Sequence, residues 1–324
     1  MESIRNAMKK ISIVIPIFNE VENIPQLLEQ IEAAAKRHNF SYEIIAVDDG
    51  STDETGKILK EEAGRDKKLK VISFSRNYGQ TAALSAGIDV ASGNIVIPMD
   101  ADLENKPSDI PLLLEKLDEG YDIVSGWRKN RWQGQWLTRK LPSLIANKLI
   151  SFITGIHLHD YGCTLKAYRR ETLEDLPLYG EMHRFIAAYA AWSGYKVAEI
   201  PVSYEPRKFG KSKYGIGRAW KVLLDLLVFK FFADYSRRPI HLFGSMGFIS
   251  ILIGLAAGAF SVYFKLSVIH HKDFVETPLP IIMAMLVVVG IVLIMMGLLA
   301  EILIRTYFEN QNRKSYKIKE KINL

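Results

Sequence analysis

The chain has 324 residues, 24% of them charged, with a formal net charge of +6 and a single cysteine. That length suits one large domain plus a smaller element. Cys163 alone excludes an intrachain disulfide and fits a reducing compartment. The positive charge, with no recognised nucleic-acid motif beside it, argues for an anionic lipid surface rather than nucleic acid.

Residues 1–10 are polar and the next apolar run has only the length of a strand, so no signal peptide is expected. "ISIVIPIF" predicts that strand. "ENIPQLLEQIEAAAKRH" follows, with Ile24, Leu27, Leu28, Ile31 and Ala35 at helical spacing. "YEIIAVDDG" predicts a second strand, "TDETGKILKEEA" a capped helix, "KVISFS" a third strand and "GQTAALSAGIDVA" a helix of small residues. "NIVIPMD" and "YDIVSG" predict two further strands around a helix at 110–119. There is no internal repeat or low-complexity segment. Strand–helix alternation of this kind implies a mostly parallel sheet covered on both faces, whose ligands sit beyond the carboxyl ends of the strands. Residues 16–20, 48–51 and 100–102 all fall at such ends.

The region 216–238, "IGRAWKVLLDLLVFKFFADYSRR", predicts an amphipathic helix. Its stripe of Trp220, Leu223, Leu224, Leu227 and Phe231 suits either the membrane interface or the domain core. No Asp, Glu, Lys or Arg then appears between Arg238 and Lys265, or between Glu276 and Glu301. Each gap exceeds the roughly 20 residues needed to cross a bilayer. Two membrane spans are therefore expected within 239–304, at about 239–264 and 278–300, and their glycines favour close packing. Homo-oligomers are one outcome of such packing. The outer flanks are rich in Lys and Arg, whereas the link at 265–277 holds Lys265 and Lys272 against Asp273 and Glu276. Both flanks are thus expected in the cytoplasm, with 305–324 as a basic cytoplasmic tail.

Asp100 and Asp102, two apart after a buried strand, can place oxygens around a hard cation such as Mg²⁺ or Mn²⁺. Asp53 and Asp109 read instead as turn and capping acids. No Gly-rich phosphate loop or dinucleotide fingerprint is present, which argues against kinases, ATPases and NAD enzymes. The basic loop "EPRKFGKSKYG" joins phosphate-binding chemistry to glycine mobility.

Taken in order, "IPIFNE", "VDDGSTDET", "RNYGQTAALSAG" and "MDADLEN" resemble the family-2 inverting glycosyltransferases. "GWRKN", "DYGCTLKAYRR", "RKFGKSKYG" and the two spans narrow the resemblance to the polyprenyl-phosphate glycosyltransferases. That group includes dolichol-phosphate mannose synthase and bactoprenol glucosyltransferases. The resemblance implies an α/β catalytic domain of the GT-A fold at 1–215, Rossmann-like with a mostly parallel sheet, carried on a C-terminal transmembrane hairpin. It implies a nucleotide-sugar donor, a polyprenyl phosphate acceptor and the inner membrane as location, with the catalytic domain cytoplasmic. By resemblance, Pro16, Phe18 and Glu20 cradle base and ribose, and one of Asp48 and Asp49 faces the nucleotide. Asp100 and Asp102 hold the metal, with Glu104 where the family usually has Gln. Arg128, Arg207, Lys211, Ser212 and Lys213 handle the acceptor phosphate or the leaving diphosphate, and Asp160 orients the sugar or acts as a weak base. The Q-x-x-R-W motif of processive synthases is lacking, since "RWQGQW" lies too early, so one transfer per donor is expected. Bacterial homologues favour UDP-glucose as donor, with GDP-mannose or an amino-arabinose donor as alternatives. A flippase or structural subunit with an inactive transferase domain is the rival class.

Overall fold

The computed structural model describes residues 10–131, 141–173, 182–207, 240–267, 270, 272–309 and 316–324. The chain forms two compact units, Met1–Phe229 together with Ser315–Leu324, and Lys230–Lys314.

The first unit is built on the expected alternation. Strands β1 (Lys10–Ile17), β2 (Ser41–Asp48), β3 (Leu69–Phe74), β4 (Ile95–Pro98) and β5 (Ile123–Trp127) alternate with helices α1 (Ile24–His38), α2 (Thr55–Arg65), α3 (Gln80–Val90) and α4 (Ile110–Asp118). Two further helices, α5 (Leu141–Thr154) and α6 (Ile186–Trp192), and strands β6 (Lys166–Arg169), β7 (Val197–Pro201) and β8 (Ile318–Ile322) complete it. The sheet order is β7-β5-β6-β4-β1-β2-β3-β8. β4, β1, β2 and β3 are parallel, while β6 and β8 run antiparallel to their neighbours. Ile11, Ile13, Ile15 and Ile17 face a layer with Leu27, Leu59 and Leu113, and Val14, Ile45 and Ile72 face another with Ala83 and Ala187. Covering both faces explains why the central strands are apolar throughout.

β8 corrects the reading of 305–324 as a separate tail. "YKIKEKI" alternates, and Ile318 and Ile322 pack on the sheet while Lys317, Lys319 and Lys321 stay exposed. An edge strand bearing lysines also guards the sheet against a further strand.

The second unit contains the helices Ile240–Leu266 and Leu279–Glu309, slightly longer than the expected spans. Both are long and apolar enough to cross a membrane. Their large side chains, such as Phe248 and Leu299, are largely exposed, unlike those of a hairpin buried in a soluble core. The two helices meet through small residues. A Cβ at Gly247 would lie 2.6 Å from the Gly290 carbonyl oxygen, and the Ser250 hydroxyl donates to the Leu286 carbonyl at 2.8 Å. The glycines thus serve the packing of one hairpin. The 216–238 helix lies outside the described residues.

Away from the strand ends that carry the motifs, Glu43 is buried beneath the sheet's other end. Its carboxylate accepts from the Ser12 hydroxyl at 2.6 Å and the Ser92 backbone at 2.7 Å, and pairs with Lys70 at 3.0 Å and Lys10 at 3.2 Å. Burial works to raise its pKa, but the hydrogen bonds from Ser12, Ser92 and Lys70 outweigh it and bring the group down to about 2. Its stabilising contribution is therefore present above the unfolded-state value near 4.5 and is lost as pH falls toward 2. Glu43→Ala should cost about 3 kcal/mol by stranding buried partners. Denaturant unfolding at pH 7 and pH 3 checks this: the gap between wild type and variant should narrow on acidification.

Candidate active site

The motif residues converge because β1, β2, β3 and β4 all end on the same side of a parallel sheet. After β1, Asn19 adopts a left-handed φ of 55° and ties its loop to the next one. Its backbone N–H donates to the Ser51 hydroxyl at 3.0 Å, and its side-chain oxygen accepts from the Thr52 backbone at 2.8 Å. Pro16 and Phe18 are half-buried at this end, and Glu20 accepts from the Asn23 side chain at 2.6 Å.

The two acids of "DDGS" divide their work. Asp49 accepts from the backbone of Tyr78 at 2.6 Å and of Gly79 at 2.9 Å, fixing the turn that opens α3. Gly79 has φ 95°, a conformation that favours glycine. Asp48 accepts from the Ser51 backbone through one oxygen, at 2.9 Å, and lines an open cleft of about 770 Å³ with Phe18 and Arg76. Of the pair, Asp48 is the acid that faces the cleft. Asp53 caps locally, accepting from the Thr55 backbone at 3.0 Å, as expected.

Asp100 accepts from Gln80 Nε2 at 2.8 Å and from the Thr164 hydroxyl at 2.5 Å. Burial and the neighbouring Asp102 charge raise it to about 6. Asp102 is buried, accepts from the Glu104 backbone at 3.1 Å and pairs with Arg207 Nη2 at 2.5 Å. Arg207 reaches it because 202–207 is laid along 104–106. Asn105 bridges Tyr204, the Glu205 N–H donates to the Glu104 carbonyl at 3.1 Å, and Asp109 accepts from the Ser203 backbone at 2.6 Å.

Arg128, just past β5, is buried and grips Asp160 through Nε at 2.8 Å and Nη2 at 3.1 Å. Burial works to raise the Asp160 carboxyl, but the Arg128 charge and hydrogen bonds hold it below its usual range. A carboxylate so held orients Arg128 and is a poor proton acceptor. Glu104 Oε2 lies 3.7 Å from both Arg128 and Arg131.

The expected metal set of Asp100, Asp102 and Glu104 is therefore not assembled as a cage. Among the described residues no three His, Cys, Asp or Glu side chains form such a group. Glu104 instead has Arg128 and Arg131 as its charged neighbours. Asp102 still fits a divalent cation, because Mg²⁺ and Mn²⁺ commonly take one or two carboxylates and complete their shell with water and substrate phosphate. The Arg207 guanidinium already meets that carboxylate with positive charge. Lys211, Ser212 and Lys213 lie outside the described residues.

Sequence reasoning missed several participants. Gln80 and Thr164 fall inside "RNYGQTAALSAG" and "DYGCTLKAYRR", and Arg131 opens "RWQGQW", but nothing local to these stretches assigns them a partner; α3, the segment before β6 and the segment after β5 bring them in. Arg76, the first residue of the "RNYG" motif, offered a positional signal just past the end of β3. His183 bonds the Thr81 hydroxyl at 2.8 Å, and burial lowers its pKa to about 3, so it stays neutral.

A cleft at the carboxyl ends of parallel strands, lined by Asp48, is where an α/β sheet of this kind takes a ligand, and the arrangement is that of the GT-A fold. The profile of glycosyl transferase family 2 matches residues 12–177, and the chain belongs to that family. A dodecaprenyl-phosphate galacturonate synthase of Rhizobium johnstonii is 41% identical over 318 residues, covering 96% of this chain and 92% of that protein. An undecaprenyl-phosphate 4-deoxy-4-formamido-L-arabinose transferase of Klebsiella pneumoniae is 35% identical, covering 95% and 92%. The fold also matches a Mycobacterium tuberculosis glucosyl-3-phosphoglycerate synthase crystallised with Mn²⁺, UDP and glucosyl-3-phosphoglycerate. There the TM-score is 0.56, with 20% identity and coverage of 70% of this chain and 81% of that one.

The Arg207–Asp102 pair generates a binding prediction. If Arg207 holds the place of the cation, Arg207→Ala should tighten Mn²⁺ binding to the nucleotide-free protein by about tenfold, the worth of a charge-assisted hydrogen bond. Asp102→Asn should abolish that binding. Titration of free Mn²⁺ by electron paramagnetic resonance reads both; unchanged affinity in the two variants would remove Asp102 from the metal's surroundings.

Proposed function

We propose that the protein transfers a sugar, with inversion, from a nucleotide-sugar to a polyprenyl phosphate at the inner membrane. The observation that carries this reading is the Arg207–Asp102 pair, which sets a cation beside the carboxylate suited to a metal–diphosphate. The names of the two relatives, which specify dodecaprenyl and undecaprenyl phosphate, support the acceptor class.

The chemistry makes modest demands on acid–base groups. A lone pair on the acceptor phosphate oxygen forms the new bond to the anomeric carbon, and the bond to the nucleoside diphosphate breaks with its electron pair leaving on the diphosphate. The nucleophile is already anionic, so no proton need be removed, which agrees with Asp160 being engaged by Arg128. A bound Mg²⁺ or Mn²⁺ would neutralise the leaving group as a Lewis acid, held by Asp102 with Asp100 behind it. Arg207, released from Asp102 in that state, would turn to the incoming phosphate, with Lys211, Ser212 and Lys213 following on the same loop. Arg128 would supply fixed positive charge from the other side, where two anions must approach each other. Pro16, Phe18 and Asp48 would hold the base and ribose. The second Asp48 oxygen takes no hydrogen bond among the described residues and suits a donor N–H of the base, N3 of uracil or N1 of guanine alike.

The sugar is a finer question. The two relatives are named for galacturonate and formamido-arabinose, which favours a uronate or amino-pentose donor over the expected glucose. A flippase or inactive subunit fits poorly with an intact set of Asp100, Asp102, Arg128 and Arg207.

Membranes containing the protein, undecaprenyl phosphate and Mg²⁺ should convert one UDP-sugar into a lipid-extractable product. Galacturonate, 4-deoxy-4-formamido-L-arabinose and glucose are the UDP-linked donors to compare, with GDP-mannose as the outlier. Transfer from GDP-mannose alone would place the donor outside the UDP-sugars, and transfer from none would overturn the proposal.

Connectivity supports a topology. If both apolar helices cross the membrane, the return of 316–324 to the catalytic sheet puts both ends of the hairpin on one side. The Lys and Arg of the flanks favour the cytoplasm for that side, which would leave 265–277 facing outward. A cysteine at Ser267, with Cys163 replaced by Ser, should react with an impermeant thiol reagent added to intact cells. Protection of that site until the cells are opened would reverse the orientation.

A further inference from the structure

The cleft beside Asp48 has a wall that none of the motifs supplies. Lys319 and Glu320 of β8 line it together with Phe18, Asp48 and Arg76. Adjacent residues in a regular strand point to opposite faces, so two neighbours lining one cleft need a cause. The register provides it. Ser73 pairs with Glu320 and Phe74 with Ile318, and Lys319 is left as the extra residue of a β-bulge. Such bulges bend a strand and re-aim a side chain.

The strand is held firmly in this register. Tyr316 stacks on Phe74 with ring centroids 4.9 Å apart, and its hydroxyl donates to Asp89 at 2.8 Å. At the far end, the Asn323 side chain donates to the carbonyls of Ala63 at 2.7 Å and Leu69 at 2.8 Å. Glu320 pairs with Lys60 of α2 at 2.6 Å, which ties the bulge to the opposite rim. Lys57, another cation of the cleft, is engaged by Glu54 at 3.1 Å. Lys319 makes no ion pair among the described residues and is exposed.

We propose that the C-terminal strand is part of the donor site, with Lys319 donating directly to the bound nucleoside diphosphate and the Glu320–Lys60 pair positioning it. The inference rests on the cleft being the nucleotide subsite. The segment that follows the hairpin is then a wall of the donor pocket, and the chain must pass twice through the apolar unit before that pocket is complete. Lys319 adds a cation where the ligand is anionic, and its long side chain suits either a base carbonyl or a phosphate oxygen.

The test is UDP binding to the full-length protein in detergent with Mn²⁺, measured by calorimetry. Lys319→Ala should weaken binding about fivefold and Lys319→Glu more, while Lys319→Arg should keep most of it. Lys321→Glu, an equal charge change on the same strand outside the cleft, should bind like wild type. Steady-state assays should show the change in the donor KM, with the acceptor KM unmoved. Asp48→Asn separates the two levels of the argument. If Asp48→Asn loses UDP while the Lys319 variants bind normally, β8 is no part of the site and the nucleotide reading of the cleft survives. If Asp48→Asn also binds normally, the cleft is not the nucleotide subsite and both fail. Equal weakening by Lys321→Glu and Lys319→Glu would mean a long-range charge effect and would overturn the direct contact.

Discussion

The constraint on which the site depends is the compensation of negative charge gathered at the ends of parallel strands. Asp100, Asp102 and Glu104 lie within five consecutive positions and are all at least partly buried. Carboxylates so placed cannot all remain ionised without cations near them. The protein supplies arginines: Arg207 on Asp102, and Arg128 with Arg131 on Glu104. Asp100 meets hydrogen-bond donors and no direct cation among the described residues, and burial with the Asp102 charge raises both it and Glu104, Asp100 the more clearly.

This compensation explains the division of labour around the site. Arg128 is held from both sides by Asp160 and Glu104, so it acts as a fixed charge. Arg207 comes from a segment tied down through Ser203, Tyr204 and Glu205. One arginine is buried and preorganised, and the other is more exposed and placed to exchange partners. A reaction between two anions, both arriving from outside the protein, calls for both kinds of cation.

The same economy governs the scaffold. Asp49 spends both oxygens on the turn that starts α3, which frees Asp48 for the cleft. Asp109, at the start of α4, tethers the segment after β7 that carries Arg207. Glu43, at the opposite end of the sheet, binds β1, β2 and β3 through Ser12, Lys10 and Lys70. Neighbouring acids of one residue type thus take ligand-facing or structural roles according to which donors surround them.

The sequence by itself determined the five leading strands, the first four helices and the two apolar spans. Those features depend on local periodicity and on the length of uncharged runs, both of which are written in consecutive residues. It also placed Asp48, Asp100 and Asp102 at strand ends, because a parallel sheet puts all such ends on one side. Only the tertiary structure decided which carboxylate meets which cation. Glu104, expected beside the metal, has Arg128 and Arg131 as charged neighbours, both brought in from beyond β5. Asp160 lies 32 positions from Arg128, and nothing in either stretch announces their bond. β8 shows both sides of the division. Its alternation was legible in "YKIKEKI", but its charge resembled a solvated tail. Its partner, β3, lies more than two hundred residues earlier, and pairing between residues so far apart in the chain is set by the folded sheet and not by local sequence.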